Sequence, residues 1–321
     1  MICLGIESTA HTFGAGIVNN NEVVSDVKDM YIPPKGSGII PREAGIHHIE
    51  KSTSIIKECL EKADMTMKDI DAVAFSQGPG LPQCLRVGGV VARMLALKHK
   101  KPLLGVNHCV AHIEVGKNCT SSKDPVVLYL SGGNTQVIAF TEGRYRVFGE
   151  TQDVPIGNAL DMIARSFGLS MPGGIHIERL AKSGKYFELP YVVKGMDLSF
   201  SGLATEAIRQ YKKGVSMEDV SYSFQETCFA MLAEVAERAM AHTGKRELLL
   251  VGGVAANKRL QEMLNIMCEE RGAKFFVVPM KYSGDNGSMI AVTGSIYNRP
   301  IEIENSDVRQ KWRVDEVAID S

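Results

Sequence analysis

The sequence predicts an α/β protein of two related lobes, and three observations carry that reading. Short apolar runs alternate with amphipathic segments along the chain. A strand–turn–strand plan occurs at Ile2 to Ile6 with Ala15 to Val18, and again about half a chain later at Val126 to Leu130 with Val137 to Phe140. The chain has 321 residues, which at ~150 per domain suggests two domains. The repeat is one of pattern rather than of identity.

Ile2 to Ile6 is continuously apolar, as in a buried strand, and a polar turn separates it from Ala15 to Val18. Ile46, Ile49, Thr53, Ile56, Leu60 and Ala63 recur at spacings of three and four, which predicts a helix with that stripe against the core. His47 and His48 flank the stripe and are expected to be partly solvated. Ala72 to Phe75 reads as a strand, Gly78-Pro79-Gly80 as a turn, and Leu85 to Leu97 as a helix. In the second half, Ser131-Gly132-Gly133-Asn134-Thr135 is the turn between the repeated strands. Ser223 to His242 reads as a long helix, Leu248 to Val251 as a strand entering Gly252-Gly253, and Asn257 to Glu270 as a helix. Strands alternating with helices predict mostly parallel sheets. The polar linker Ser121-Ser122-Lys123-Asp124-Pro125 sets the boundary. The expected first lobe is 1–124 with about 290–321 and carries the histidine pair described below; the second, 125–289, carries the glycine loops.

Composition narrows the function classes. With 45% hydrophobic and 23% charged residues the chain is ordinary globular protein, which excludes disorder and collagen-like structure. Lys plus Arg is 36 and Asp plus Glu is 37, a net charge of −1 that argues against tight, unaided contact with nucleic-acid phosphates. Seven scattered cysteines without a Cys-x-x-Cys fit a reducing cytosol better than a disulfide framework or a thiolate zinc site. No apolar run approaches the ~18 residues of a membrane span. The start reaches Glu7 without a basic region, unlike a signal peptide. The expectation is a cytoplasmic protein with no membrane partner.

The sharpest local signal is His108-Cys-Val-Ala-His112. On a helix, the i, i+4 spacing puts both imidazoles on one face, close enough to share a metal. On spacing alone, two unrelated polar residues are an equal alternative. Cys109 stands where a zinc-protease motif needs its glutamate. A remote third ligand is required, and Asp285 in Ser283-Gly-Asp-Asn-Gly287 is the best candidate, although a plain turn aspartate reads the same. Ser131-Gly132-Gly133, Gly173-Gly174 and Gly252-Gly253 with Asn257 are loops whose backbone amides suit phosphate or nucleotide. No Walker-type or Gly-x-Gly-x-x-Gly motif accompanies them. Asp161 and Glu178 lie near the second glycine pair; for each, an ordinary surface charge competes with a ribose-hydroxyl acceptor. Basic clusters at Lys98 to Lys101, Lys212-Lys213 and Arg309 to Arg313 read by default as solvated faces.

Taken together, several segments resemble one known family along nearly the whole chain. They are Gly5-Ile-Glu-Ser-Thr9, Phe75-Ser-Gln-Gly-Pro-Gly-Leu81, Gly105-Val-Asn-His-Cys-Val-Ala-His112 and Tyr129-Leu-Ser-Gly-Gly-Asn-Thr135, followed by Pro172-Gly-Gly174, Ser199-Phe-Ser-Gly-Leu203, Val251-Gly-Gly-Val-Ala-Ala-Asn257 and Gly284-Asp-Asn-Gly287. The set resembles the tRNA N6-adenosine threonylcarbamoyltransferases in their archaeal and eukaryotic form, once assigned as O-sialoglycoprotein endopeptidases. That resemblance implies the actin-like ATPase superfamily fold, with two related domains around a nucleotide cleft. It implies transfer of a threonylcarbamoyl group from threonylcarbamoyl-adenylate to N6 of the adenosine 3′ of a tRNA anticodon, with release of AMP. It implies one divalent metal, Fe(II) first and Zn(II) as the alternative, on His108, His112 and Asp285 with Tyr129 as an additional ligand. The adenine nucleotide, with ATP also able to occupy the cleft, would meet Tyr129, Leu130, Ser131, Gly132 and Gly133 through its phosphates, and Asp161, Gly174, Glu178 and Asn257 around ribose and base. No side chain is assigned as a nucleophile. The implied partners are tRNA and the KEOPS subunits, including a small protein kinase, fused to this domain in some archaea, and a small dimerising subunit. Leu81-Pro82-Gln83-Cys84 and Ile175 depart from the family pattern and alter loop stiffness. A small-molecule kinase of the same fold, a carbamoyltransferase with another acceptor and a non-enzymatic scaffold are the competing readings.

Overall fold

The computed structural model describes residues 1–34 and 37–319; Lys35, Gly36, Asp320 and Ser321 of the expected first lobe lie outside the described residues. The chain forms two compact units. The first comprises Met1–Pro33, Ser37–Cys119 and the chain from Gly284 on, and the second is built on Thr120–Ser283.

The first unit opens with β1 (Ile2–Glu7), β2 (Thr12–Asn19) and β3 (Glu22–Met30), an antiparallel meander. Asn20 and Asn21 join β2 to β3 with φ of 48° and 68°, the left-handed pair of a two-residue hairpin turn. After α1 (Pro41–Lys62) come β4 (Ala72–Gly78), α2 (Pro82–His99), β5 (Leu103–Asn107) and α3 (His108–Cys119). The sheet order is β3-β2-β1-β4-β5, with β1, β4 and β5 parallel. Leu4, Ile6, Phe13, Ile17, Ile56 and Phe75 form one buried core, and each such side chain contributes roughly 1.5–3 kcal/mol by leaving water.

The buried face of α1 differs from the predicted stripe. Ala44, Gly45, His48, Ser52, Ile55, Ile56 and Cys59 face inward, whereas Ile46 and Ile49 are 44% and 64% exposed. His48, expected to be partly solvated, is completely buried. Two helical stripes overlap in this segment, and the one with the small residues lies inward. A Cβ at Gly45 would stand 3.2 Å from the Gln83 Cβ of α2, so close packing selected that face over the more apolar one.

The second unit repeats the plan. It contains β6 (Val126–Leu130), β7 (Thr135–Thr141), β8 (Arg144–Glu150), α4 (Ile156–Ser166) and α5 (Gly173–Ala181). A two-strand ribbon of β9 (Val193–Lys194) and β10 (Asp197–Leu198) precedes α6 (Ser201–Lys212) and α7 (Met217–Thr243). Then follow β11 (Glu247–Val251), α8 (Lys258–Glu270), β12 (Lys274–Val277) and α9 (Met280–Ser283). Its sheet order, β12-β11-β6-β7-β8, is that of the first sheet read from the other edge, with β6, β11 and β12 parallel and β6, β7 and β8 antiparallel. Glu142 and Gly143, with φ of 51° and 77°, repeat the Asn20-Asn21 turn. Both sheets are therefore mixed rather than mostly parallel, because two-residue turns join only antiparallel strands.

The chain re-enters the first unit through α10 (Gly287–Tyr297), which lies on β1 and β2. A Cβ at Gly16 would stand 2.2 Å from the Ser288 nitrogen and one at Gly5 2.3 Å from the Ala291 nitrogen, so glycine alone permits this approach. The unit boundaries consequently fall at Thr120 and Gly284, not at 125 and about 290, and Asp285 lies in the first unit.

Candidate metal centre and nucleotide-binding loops

The first unit brings His108, His112 and Asp285 together. Helix α3 begins at His108 because the Asn107 Oδ1 accepts from the backbone nitrogens of Cys109 (2.9 Å) and Val110 (3.1 Å), capping the first turn. His108 and His112 then stand one turn apart, both buried, with ring centroids 4.8 Å apart and edge to face. Asp285 sits in the loop entering α10, whose first turn is capped by Asn286. The Asp285 Oδ1 is 3.2 Å from His112 Nε2 and 3.6 Å from His108 Nε2. β3 steadies this loop: Lys28 Nζ donates to the Asp285 carbonyl at 3.0 Å, and Asp26 Oδ1 accepts from the Ser288 nitrogen at 2.9 Å. On the far side of the His108 ring, Nδ1 is 3.1 Å from the Oε2 of the fully buried Glu7. The other Glu7 oxygen accepts from the Thr9 backbone nitrogen (2.6 Å) and hydroxyl (2.5 Å).

The electrostatics follow from burial and these partners. Burial alone pulls the His108 imidazole down, but the Glu7 carboxylate outweighs it and lifts the ring to about 9. Burial dominates at His112 and lowers it. Burial would raise Asp285, yet hydrogen bonding to His112 and the charge of the pair hold its carboxyl well below the usual carboxylate range. The three ligand atoms lie within 4.8 Å of one another, and among the described residues no other group of three or more His, Cys, Asp and Glu side chains converges this way. Two imidazoles and one carboxylate fit a divalent ion with coordination positions to spare, as in catalytic rather than closed structural sites. Cys109, between the ligands, is buried as packing.

In the second unit, Tyr129 and Leu130 lie at the carboxyl end of β6 and Asn257 follows β11, its parallel neighbour, and ligands bind at such strand ends in open α/β sheets; Asp161 is on α4, and Gly174 and Glu178 are on α5. Tyr129 and Leu130 end β6 and are fully buried. Ser131 closes a tight turn: its hydroxyl accepts from the Gly133 (3.2 Å) and Asn134 (3.0 Å) nitrogens, and its own nitrogen donates to the Asn134 carbonyl at 2.8 Å. A Cβ at Gly132 or Gly133 would meet nothing within 4 Å, so open space lies beside those amides. Gly252, with φ of 93°, brings the β11 loop so near that a Cβ would be 2.3 Å from the Leu130 carbonyl oxygen. Gly174 is in the first turn of α5, whose Gly173 nitrogen donates to Asp161 Oδ1 at 2.6 Å. Glu178 Oε1 accepts from the Lys258 nitrogen at 2.8 Å. Asn257 caps α8 through its oxygen and donates to Gln225 Oε1 at 3.0 Å. These polar side chains thus fasten α5 and α8 beside the glycine turns.

Sequence reasoning left out Glu7, Thr9, Gly157 and Gln225 as site residues. Gly157 is required because a Cβ there would stand 2.6 Å from the Ser131 carbonyl oxygen. Glu7 at the end of an apolar strand, and Gln225 on the buried face of α7, are buried polar groups whose type in that setting was the available signal.

Comparison with known proteins gives a consistent result. The TsaD family model, described as tRNA N6-adenosine threonylcarbamoyltransferase, matches residues 22–292. A Thermococcus kodakarensis protein named tRNA N6-adenosine threonylcarbamoyltransferase is 57% identical over 99% of both chains, and one from Archaeoglobus fulgidus matches to the same extent. A Methanosarcina mazei protein, named a probable bifunctional tRNA threonylcarbamoyladenosine biosynthesis protein, is 55% identical over 98% of this chain and 59% of its own length. Among solved structures, T. kodakarensis HypF aligns with a TM-score of 0.65 at 17% identity over 92% of this chain and 47% of that one. The activator of 2-hydroxyisocaproyl-CoA dehydratase from Clostridium difficile aligns with a TM-score of 0.55 at 12% identity over 92% and 95%. Those two likenesses show the fold alone; together with the family match they place the chain in the actin-like ATPase fold.

Proposed function

The chain belongs to the tRNA N6-adenosine threonylcarbamoyltransferase family, and from that premise we propose its donor, its metal and its partners. The donor in this reading is threonylcarbamoyl-adenylate. The N6 lone pair of the adenosine 3′ of the anticodon attacks the carbamoyl carbonyl carbon. The bond from that carbon to the AMP phosphate oxygen breaks, AMP leaves, and N6 releases one proton. AMP is already a good leaving group, so the protein needs no side-chain nucleophile. A divalent ion on His108, His112 and Asp285 supplies Lewis-acid polarisation when bound, with Fe(II) favoured and Zn(II) the alternative. Tyr129 is, by resemblance, a further candidate ligand, read out by the metal content of Tyr129→Phe. The turn of Tyr129, Leu130, Ser131, Gly132 and Gly133 is proposed to meet the donor phosphate, with the Gly132 amide as its donor because the Ser131 and Gly133 amides already donate within the turn, and Asp161, Gly174, Glu178 and Asn257 are proposed to meet its ribose and base. ATP would compete for the same loops.

The observation that supports this reading best is the convergence of two buried imidazoles and Asp285 in one unit. A kinase mechanism of the same fold gives that trio no role. KEOPS-type subunits, including a small kinase, complete the proposed assembly in the cytoplasm; two Methanosarcina relatives carry names that describe a bifunctional chain. No helix among the described residues is long and apolar enough to cross a membrane. The test incubates the chain and its partner subunits with threonylcarbamoyl-adenylate and tRNA and assays the modified adenosine. Wild type is expected to form product and His112→Ala to lose at least a hundredfold. Absence of product with wild type, or full product from His112→Ala, rejects the mechanism.

A further inference from the structure

We propose that Glu7, held by Thr9, is a positioning residue of the metal centre that keeps the proton of His108 on Nδ1 and so presents the Nε2 lone pair toward His112 and Asp285. The inference rests on the metal reading of the His108–His112–Asp285 cluster.

A neutral imidazole has a lone pair on one nitrogen and a proton on the other, and either arrangement is intrinsically available. Nothing in helix α3 itself chooses between them. The surroundings of Nδ1 do. Glu7 Oε2 lies 3.1 Å away and, as a carboxylate oxygen, accepts. The Thr9 hydroxyl lies 3.3 Å away, and its single hydrogen is engaged by the other Glu7 oxygen at 2.5 Å, so toward His108 it too can only accept. Two acceptors facing Nδ1 require that nitrogen to be the donor. In the neutral ring, the form that can bind a metal, the lone pair is therefore left on Nε2, the nitrogen 3.6 Å from Asp285 Oδ1.

The carboxylate is itself fixed. Glu7 ends β1, the central strand, which pairs with β2 on one side and β4 on the other, and it is fully buried. A buried carboxylate is costly unless hydrogen-bonded, and the Thr9 nitrogen and hydroxyl together satisfy Oε1. In Gly5-Ile-Glu-Ser-Thr9 the strand end thereby delivers the acceptor and the following turn locks it. Carboxylate–imidazole pairs behind a metal ligand typically strengthen metal affinity 10–100-fold.

The experiment measures Zn(II) affinity by competition with a chelator for wild type, Glu7→Gln, Thr9→Val and His108→Ala, with the melting temperature of each metal-free protein. Glu7→Gln is expected to weaken binding roughly 10–100-fold while still taking one ion per chain. Thr9→Val, which loosens the carboxylate without removing it, is expected to weaken it less. Unchanged affinity in folded Glu7→Gln overturns the proposal. So does complete loss equal to that of His108→Ala, which would make Glu7 a ligand. A readout independent of metal and of either variant is the ring 15N–1H spectrum of metal-free wild type. Recorded at a pH where the ring is neutral, it is expected to show His108 protonated on Nδ1 and bare on Nε2, and a bare Nδ1 overturns the proposal. Wild type that retains no Zn(II) rejects the metal reading instead, and the ring spectrum still decides the role of Glu7.

Discussion

At His48 a histidine has been taken fully out of water on the buried face of α1. Its Nδ1 is 3.2 Å from His47 Nδ1, and His47 Nε2 is in turn 2.7 Å from Asp29 Oδ1. Burial first, then the charge of His47, pushes the His48 ring down to about 4, against a partial lift from the Ala10 carbonyl; His11 adds a further downward push. The sign follows from proton counts. Between the unfolded value near 6.5 and the folded value near 4, the unfolded chain binds more protons, so stability falls as pH falls through that window and levels off below it. The full effect is on the order of 3 kcal/mol. Urea denaturation from pH 7.5 to 4 is therefore expected to show a loss of stability in wild type that is visibly smaller in His48→Asn. Parallel pH profiles for the two proteins would show that His48 does not carry the effect. Polar type alone made this residue look solvated; its burial depends on how closely α1 meets α2, which no single-chain periodicity encodes.

Among the elements, α10 shows most plainly how packing sets the site. It runs across β1 and β2 with backbone against backbone at Gly5 and Gly16, and the loop at its start carries Asp285. Gly16→Ala places a methyl 2.2 Å from the Ser288 nitrogen, a distance only backbone movement can relieve. The expected cost is at least about 3 kcal/mol, at or beyond the upper end of ordinary overpacking. It should appear as a lower melting temperature together with weaker metal retention, since Asp285 moves with the helix. Gly132→Ala, which adds a methyl to open space, should leave the melting temperature within a few degrees. A Gly16→Ala protein that melts and binds metal like wild type would remove α10 from this account. The sequence read well wherever one local rule decided the outcome: the strands at Ile2 and Val126, the repeated plan, and the i, i+4 histidines. It read poorly where two distant segments had to meet. The motif around Asp285 was visible, but its membership of the first unit depends on glycines some 270 residues earlier, and the parallel or antiparallel sense of each sheet depends on two-residue turns rather than on strand composition.

For the molecule as a whole, charge balance bears on how a tRNA substrate is held. The net charge is −1, and much of the positive charge is already engaged locally: Lys62 pairs with Glu58, Arg209 with Glu206, Arg259 with Glu226 and Glu262, and Arg271 with Glu237. The exposed Lys212-Lys213 pair and the exposed Arg309, Lys311 and Arg313 are short clusters, and Asp307, Asp315 and Glu316 stand beside the latter. These short clusters, with the exposed Lys98 and Lys100, are expected to contact two or three phosphates at a time rather than to form a continuous track along a backbone. The isolated chain is therefore expected to bind tRNA with a Kd weaker than ~1 µM, and to lose roughly ten- to forty-fold in affinity between 50 and 200 mM salt. Addition of the partner subunits should tighten binding and steepen the salt dependence, because each newly engaged phosphate releases counterions. Fluorescence anisotropy of labelled tRNA across a salt series measures both quantities. Tight, salt-resistant binding by the chain alone would mean that recognition runs through bases and shape on this chain. In that case the division of labour between a catalytic chain and phosphate-gripping partners would be wrong, even with the metal centre intact.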